Sequence, residues 1–424
     1  MANYLSKRGA NVAPSYASTG DLPASTQAGD LVFVGGQLGI AVNASTFDTC
    51  DNSSIADTSG TLDSISAKSY SPLTTPVSTG TSGNTQFGAR VAISDPVNHM
   101  IISNYMIAGP GGYTADPQHG AYYVYTMPNG TYQRTIACPI SNLDYAQFGI
   151  TIAIAHTSNG GYGYASLYKY NSNQGRVYIH NLSNGNLVRS LTGTSVGDRF
   201  GWEVAASPLY TLVGAPYRDS QVGRAYLYNN SDGALKYTFE GAGTTSGQFG
   251  YRVAVCDNYS LVTEQYQRRY HVFDNSTGNK LYTTEAIGTI HYAWKVAMSD
   301  HFHIVSSDAY SSDAKVLVYN NHDGSLKYTI NKPAAATTSY SGSGQGVAIS
   351  DAYFMVSDTG YQVSSQARGA SFVHSMATGN LLHTLTGDVV SMSMGTGQAL
   401  TSTILAIGGP ANGTAGGEKV QVHA

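Results

Sequence analysis

The sequence predicts an all-β fold assembled from repeated units of four short strands. Three observations predict it. One phrase recurs along the chain, each recurrence opens four apolar or alternating segments, and a small turn pair separates the last two segments of each unit.

The phrase reads "FGARVAIS" from Phe87, "FGITIAIA" from Phe148, "FGWEVAAS" from Phe200 and "FGYRVAVC" from Phe249. Looser copies are "AWKVAMSD" from Ala293 and "GQGVAISD" from Gly344. The apolar markers Val91, Ile152, Val204, Val253, Val296 and Val347 set a period of about 50 residues. One further period falls in residues 389–424, where "AIGGP" matches the earlier "VGAP" of Val213–Pro216.

Within the copy that starts at Phe200 the four segments are "WEVAA", "YTLVGAP", "RAYLYNN" and "ALKYTFE". Asn129-Gly130, Asn184-Gly185, Asp232-Gly233, Thr277-Gly278, Asp323-Gly324 and Thr378-Gly379 separate the third segment from the fourth. Such pairs favour a tight hairpin with positive φ, so these two segments are expected to pair antiparallel. Four antiparallel strands at this period form the blade of a β-propeller, and the copies predict a seven-bladed ring. The first segment carries Ala92, Ala153, Ala205, Ala254, Ala297 and Ala348 at one place. It is expected to be the innermost strand, where blades converge and a small side chain fits.

The chain stops at "KVQVHA", the third segment of the last unit, which leaves its outer edge open. Residues 69–88 read like the end of another unit, so residues about 68–77 are expected to supply the missing strand. The division is then a head and linker over 1–67 and a propeller over 68–424, with the polar stretch 51–67 as the linker.

The repeats resemble the FG-GAP family of β-propellers. The residues that carry the resemblance are the Phe-Gly pairs at Phe87, Phe148, Phe200 and Phe249, "VGAP" at Val213–Pro216 and "GRAYLY" at Gly223–Tyr228. Blades of that family often hold calcium in an acidic DxDxDG loop after the first strand. The matching segments here ("SDPVNHMI", "SPLYTL", "CDNYSL", "SDHFHI", "SDAYFM") mostly offer one carboxylate each, whereas calcium takes about 6–8 oxygen ligands. Neither a metal nor another cofactor is expected, and the lone Asp is read as a turn residue.

Charged residues make up 11% of the chain and the formal net charge is −4, with no basic stripe, which argues against a nucleic-acid partner. The 32 tyrosines include Tyr122, Tyr123, Tyr125, Tyr178, Tyr226, Tyr228 and Tyr319 in third strands, where they are expected to pack between blades. Cys50, Cys138 and Cys256 suggest neither a disulfide framework nor a zinc site. The N-terminus lacks the apolar core of a signal peptide, and no apolar run is long enough for a membrane span.

The Ser, Thr, Gly and Asn-rich composition nonetheless suits an exposed protein, and a virus particle reconciles the two. Within residues 18–43, Leu22, Pro23, Gly29 and Asp30 precede "LVFV" and "QLGIAV" around Gly35-Gly36. This segment resembles one near the N-termini of structural proteins of marine tailed bacteriophages, although the aromatic continuation usual there is missing. The resemblance implies a virion protein, such as a tail fibre or tail-tip component, joined to other virion proteins through 1–67 and forming a homo-oligomer. The propeller then meets a glycan or protein of the host surface. Two alternatives stand beside it: a capsid decoration or tail-assembly subunit that contacts only virion proteins, and a secreted or surface carbohydrate-binding propeller.

Catalysis is not expected. Asp198, Glu203, Glu264, Asp308 and Asp313 fall at unmatched places of different units, and no GxSxG, HExxH or P-loop spacing occurs. Binding is expected at the connections between second and third strands: 110–120, 216–223, 264–271, 307–315 and 357–369. The residues singled out there as ligand-binding are Tyr113, His119, Tyr217, Arg218, Tyr266, Arg268, Tyr310 and Gln366, because flat amphipathic rings and multidentate side chains suit recognition.

Overall fold

In the computed structural model of the chain, the described residues are strand segments at 15–16, 31–34, 37–43, 46–49 and 68–70, and then most of 87–423. The gaps in that last stretch are 95–98, 105–119, 128–129, 141–146, 158, 244, 286–291, 308–314, 332–345, 365, 388–394 and 410–418. The chain divides into two compact units, Met1–Ser64 and Ile65–Ala424. In the first, Ser15–Tyr16, Leu31–Val34, Gln37–Asn43 and Thr46–Thr49 form one sheet in chain order. Its first pair is parallel and the others are antiparallel.

The second unit is an all-β propeller of four-stranded blades. Six sheets take their four strands consecutively, over 87–137, 152–192, 204–240, 249–285, 292–331 and 347–386. We number these blades 1 to 6. A further four-stranded sheet is composite: Gly397–Leu400, Leu405–Gly409 and Lys419–His423 are followed by Lys68–Tyr70, with Val420 opposite Tyr70 and Gln421 opposite Ser69. The closing strand is described over Lys68–Tyr70, at the start of the stretch 68–77 read from the sequence; residues 71–77 lie outside the described residues. First strands of successive sheets touch one another in order, and that of the composite sheet touches both blade 6 and blade 1. This places the first segment of each unit innermost, with Ala153, Ala254 and Ala348 buried.

Each core lies between two sheets. Ile101, Tyr122 and Val124 of blade 1 pack with Phe148, Ile154 and Tyr178 of blade 2. Phe87, Met100 and Tyr125, also of blade 1, pack with Ile404, Ala406 and Val420 of the composite sheet. A single sheet has no partner for its two apolar faces, so burial requires the neighbours.

The Phe-Gly pair makes the seam. Phe87, Phe148, Phe200 and Phe249 are buried, and the glycines that follow take φ between 81° and 90°. A Cβ on Gly214 would fall on the carbonyl oxygen of Gly250, and one on Gly223 on that of Phe249. Phe249 also donates its N–H to the Val222 carbonyl at 3.0 Å. The glycines of "VGAP" and "GRAYLY" thus exist because two backbones meet there without room for a side chain.

The turn between third and fourth strands differs from a two-residue hairpin. Gly185, Gly233, Gly278, Gly324 and Gly379 take positive φ, as expected, but the preceding residues do not. Each glycine N–H instead bonds the carbonyl four residues back, and the ladder shifts register just before the turn. The neighbouring blade explains the bare glycine. Tyr237 lies against Gly278, Tyr282 against Gly324 and Tyr328 against Gly379, and the three hydroxyls donate to carbonyls of Ser276, Asn321 and Ala377, each at 2.8 Å. These outer-strand tyrosines clasp one blade to the next. Deeper in the seam, Tyr270 bonds His303 at 2.9 Å, and burial pushes that imidazole down to about 4, so it is neutral at pH 7.

Gly214→Ala is expected to cost about 3 kcal/mol, because backbone faces the new methyl group and cannot yield without parting blades 3 and 4. Gly197→Ala, with open space around it and φ of 88°, is expected to cost about 1 kcal/mol of left-handed strain alone. Thermal unfolding of the two variants measures the difference.

Candidate functional site

Connections between second and third strands, and those from one blade to the next, emerge at the same end of the ring. Three features of the backbone set that face. Residues just before the Phe-Gly pair take the left-handed region: Gln147 (φ 53°), Arg199 (51°) and Gln248 (53°). Asn171–Asn173 and Asp219–Gln221 each form a left-handed run of three, in equivalent loops of blades 2 and 3. Arg268 is left-handed too, after the short turn Gln265–Gln267. Non-glycine residues in this region carry strain, and such strain gathers where a surface is shaped for use.

Trp202, the residue after the Phe-Gly pair of blade 3, is half-buried at the centre of an aromatic band. Its ring lies 5.2 Å from Tyr168 of blade 2, 5.5 Å from Tyr217 and 5.4 Å from Tyr251 of blade 4. The Arg199 guanidinium sits 3.9 Å over Tyr217 and 5.5 Å from Trp202. Tyr168 donates to Gln147 at 2.7 Å, which fixes the band at its blade 2 end. Burial raises the Tyr251 hydroxyl above the ordinary phenol range, against the opposing pull of Arg252 and with smaller contributions from Tyr217, Tyr266 and Glu203. Tyr266, in the connection between second and third strands of blade 4, is 62% exposed. The indole Nε1 of Trp202 is buried and has no hydrogen-bond partner among the described residues.

Arg218 has a different job. It bonds Asp198 at 2.8 Å, Ser195 at 2.8 Å and Thr194, all on the connection that enters blade 3. Asp198 is buried and also accepts the Ser195 N–H at 3.1 Å. The bond to Asp198 raises the guanidinium above its ordinary value. Arg218 therefore ties one loop to another, beside the band rather than in it. Arg268 is half-buried and Gln366 is exposed on a small hairpin inserted in blade 6. Tyr113, His119 and Tyr310 lie outside the described residues.

The third residue after each Phe position stands just before the apolar marker of the inner strand. In blades 1 to 5 these residues are Arg90, Thr151, Glu203, Arg252 and Lys295. Blade 6 and the composite sheet contribute Gly346 and Gly397. Arg252 pairs with Glu203 at 2.7 Å. The backbone N–H groups of Arg252 and Lys295, freed by a bulge in the ladder, are taken by the hydroxyls of Thr263 at 2.9 Å and Ser306 at 3.1 Å. Burial, and then Arg90 and Arg252, hold the Lys295 ammonium well below its ordinary value, against the opposing pull of Glu203.

The acids considered from sequence are spread out. Asp198 belongs to Arg218, Glu203 to Arg252, and Glu264 to Arg269 (2.7 Å) and His271 (3.2 Å); Asp308 and Asp313 lie outside the described residues. Asp257 and Asp351, in the loops that align with calcium loops, accept hydrogen bonds from the preceding blade's Leu209 and His301. No group of three His, Cys, Asp or Glu side chains suited to a metal occurs among the described residues, and no helix there is long and apolar enough to cross a membrane.

The repeat with the seam, the band and Arg218 is the one that a family comparison recognises. Residues 192–228 match the FG-GAP repeat. The FG-GAP glycines Gly201, Gly214 and Gly223 are those that the blade seams leave bare of side chains. A crystal structure of the Cps50 (Swd1) β-propeller domain from Myceliophteria thermophila is similar in fold, with a TM-score of 0.51 at 11% identity over 84% of this chain and 99% of that one. No curated protein matches the chain.

Sequence reasoning had placed Tyr217 and Tyr266 at the face but missed Arg199, Trp202 and Tyr251 as its centre, and Arg90, Arg252 and Lys295 in the inner strands. The signal was present: aligning the repeats on Phe-Gly puts Trp202 with Tyr251 in one column and Arg90, Arg252 and Lys295 in the next, while Arg199 directly precedes its Phe. Arg218→Ala is expected to lower stability by about 3 kcal/mol, since it strands the buried Asp198 carboxylate, while Tyr266→Ala changes it by less than about 0.5 kcal/mol. Chemical denaturation of both variants separates the loop tie from the exposed ring.

Proposed function

We propose that the protein is a non-enzymatic recognition module of a bacteriophage particle, a tail fibre or tail-tip component whose propeller binds a glycan or protein on the host surface. The observation that carries the binding reading is the band of Tyr168, Trp202, Tyr217 and Tyr251 with Arg199 above it, shared by three blades. Rigid aromatic rings present large contact area at low entropic cost, and sugar rings stack on such surfaces. Counted with its composite sheet, the ring is seven-bladed, and a closed ring holds the band rigid.

The virion assignment is supported by the resemblance of residues 18–43 to phage structural proteins and by an exposed-type composition. Residues 1–67 then join other virion proteins, and a homo-oligomer multiplies weak contacts into avidity. Antibody raised against 68–424 is expected to label the distal tail of purified particles in electron micrographs. Particles carrying Trp202→Ala with Tyr217→Ala are expected to adsorb to cells at least ~10-fold less. Label over the capsid transfers the protein to a decoration role, and unlabelled particles refute the virion assignment.

A further inference from the structure

The turn glycines of successive blades are not all clasped by the same kind of side chain. The clasping residue sits in the fourth strand just before the register shift, opposite Val124, Ile179, Leu227, Val272 and Val318 in blades 1 to 5. It is Arg134, Arg189, Tyr237, Tyr282 and Tyr328 in turn. Each tyrosine has one donor, and a carbonyl of the next blade takes it. The two arginines hold the equivalent turns through Nη2, which donates to the Ser183 carbonyl at 2.5 Å and to that of Ser231 at 3.4 Å. A guanidinium brings five donors and a charge it does not shed, so it leaves more to satisfy than a phenol does. In Arg189 the excess is plain: Nη1 is sealed from solvent without a hydrogen-bond partner, and the side chain forms no ion pair among the described residues.

Around Arg189 the seam between blades 2 and 3 opens into a recess. Tyr162 and Tyr164 of blade 2 and Thr211, Tyr228 and Gly233 of blade 3 help to line it, and its free space is about 310 Å³ counted out to the solvent at its mouth. The enclosed part is narrow, with room for a guest about the size of one water molecule. No carboxylate is among the lining residues. Asp232, next to Gly233 in the chain, turns one oxygen to the Ala234 N–H at 2.8 Å. Tyr164 is hydrogen-bonded to Thr211, whose own hydroxyl donates to Asn230 at 2.6 Å. Burial lifts the Tyr228 hydroxyl well above the ordinary phenol range, so it stays protonated and able to donate. A cationic donor and a phenol therefore meet in a space whose walls hold no negative charge.

We propose that this recess binds a monatomic anion of the halide class, chloride in ordinary salt, held by the buried Nη1 of Arg189 at the seam of blades 2 and 3. A water molecule there supplies an acceptor but no charge, whereas a halide supplies both in a space too narrow for a sugar or a phosphate. The turns between third and fourth strands lie at the end of the ring opposite the aromatic band, so the site bears on the seam and is independent of the recognition reading.

The test melts the full chain at constant ionic strength in sodium chloride and in sodium methanesulfonate, whose anion is too large for the enclosed space. Chloride is expected to raise the thermal midpoint by about 2 °C or more, and the protein is expected to broaden the chloride NMR resonance. Arg189→Tyr installs the clasp of the next three blades without the charge, and Arg189→Gln removes the charge alone. Both variants are expected to lose the chloride response and the broadening, while Arg134→Gln keeps them. If one Arg189 variant fails to fold, the other decides. Equal midpoints of the parent in the two salts, which leave only water in the recess, overturn the site. A chloride response that persists in a folded Arg189 variant overturns it as well.

Discussion

At the seams that join blades 1 to 4 and the composite sheet to blade 1, a carbonyl oxygen of the Phe-Gly pair of one blade occupies the space where the preceding sheet would otherwise carry a Cβ. Gly250 meets Gly214 in this way, Phe249 meets Gly223, and Gly88 meets Gly408 where the composite sheet joins blade 1. The close approach brings the flanking Phe residues into neighbouring cores, and it turns the Phe-Gly backbone into the left-handed region that only glycine adopts without strain. Farther out, the tyrosine clasps repeat the same economy: a bare turn glycine on one blade receives the ring of the other. The blades are therefore held by contacts between sheets at both radii, and no sheet owns its core.

Much of this was legible because repetition makes the sequence its own alignment. The recurring Phe-Gly phrase marked the innermost strand, and the turn glycines marked the junction of the outer two. The order of strands within each blade followed from the order of segments. What the sequence did not reveal was contact between units. Nothing in Asp323-Gly324 announces that Tyr282 of the preceding blade fills the space beside it, so the turn was read as a short hairpin where a longer one with a bulge occurs. Arg218 shows the same limit from the other side. An arginine in a variable loop looks available for a ligand, yet its partner Asp198 lies on the connection into the same blade and reaches it only once the ring is folded. Tyr217, its neighbour in sequence, does face the band because its partners Trp202 and Arg199 approach from the inner strand.

The face uses the repeat differently from the seams. Seam positions repeat the Phe-Gly pair in blades 1 to 4, where each must solve the same packing problem. The two columns after Phe-Gly instead vary from blade to blade, with Ala89, Ile150, Trp202 and Tyr251 in the first and Arg90, Thr151, Glu203, Arg252 and Lys295 in the second. Some of these residues are buried, as Ala89 and Thr151 are, and others are partly exposed, as Trp202 and Tyr251 are, so equivalent positions carry an asymmetric set of side chains. The aromatic side chains gather on blades 2 to 4, which gives the ring one side richer in rings than the others.

The whole arrangement depends on the ring being closed, and the closing strand comes from the opposite end of the chain. Lys68–Tyr70 lies antiparallel to Lys419–His423 with Ser69 opposite Gln421. Ser69→Cys with Gln421→Cys, in a chain otherwise freed of cysteine, tests that pairing directly. The account predicts that the two thiols oxidise to a disulfide in the native state and that the cross-link, which spans most of the chain, raises the thermal midpoint by several degrees. Tyr70→Cys with Gln421→Cys, one residue out of register and on the other face of the sheet, is predicted not to close. A disulfide that fails to form at Ser69 and Gln421, or that forms equally well in both pairs, would contradict a ring closed by its two ends.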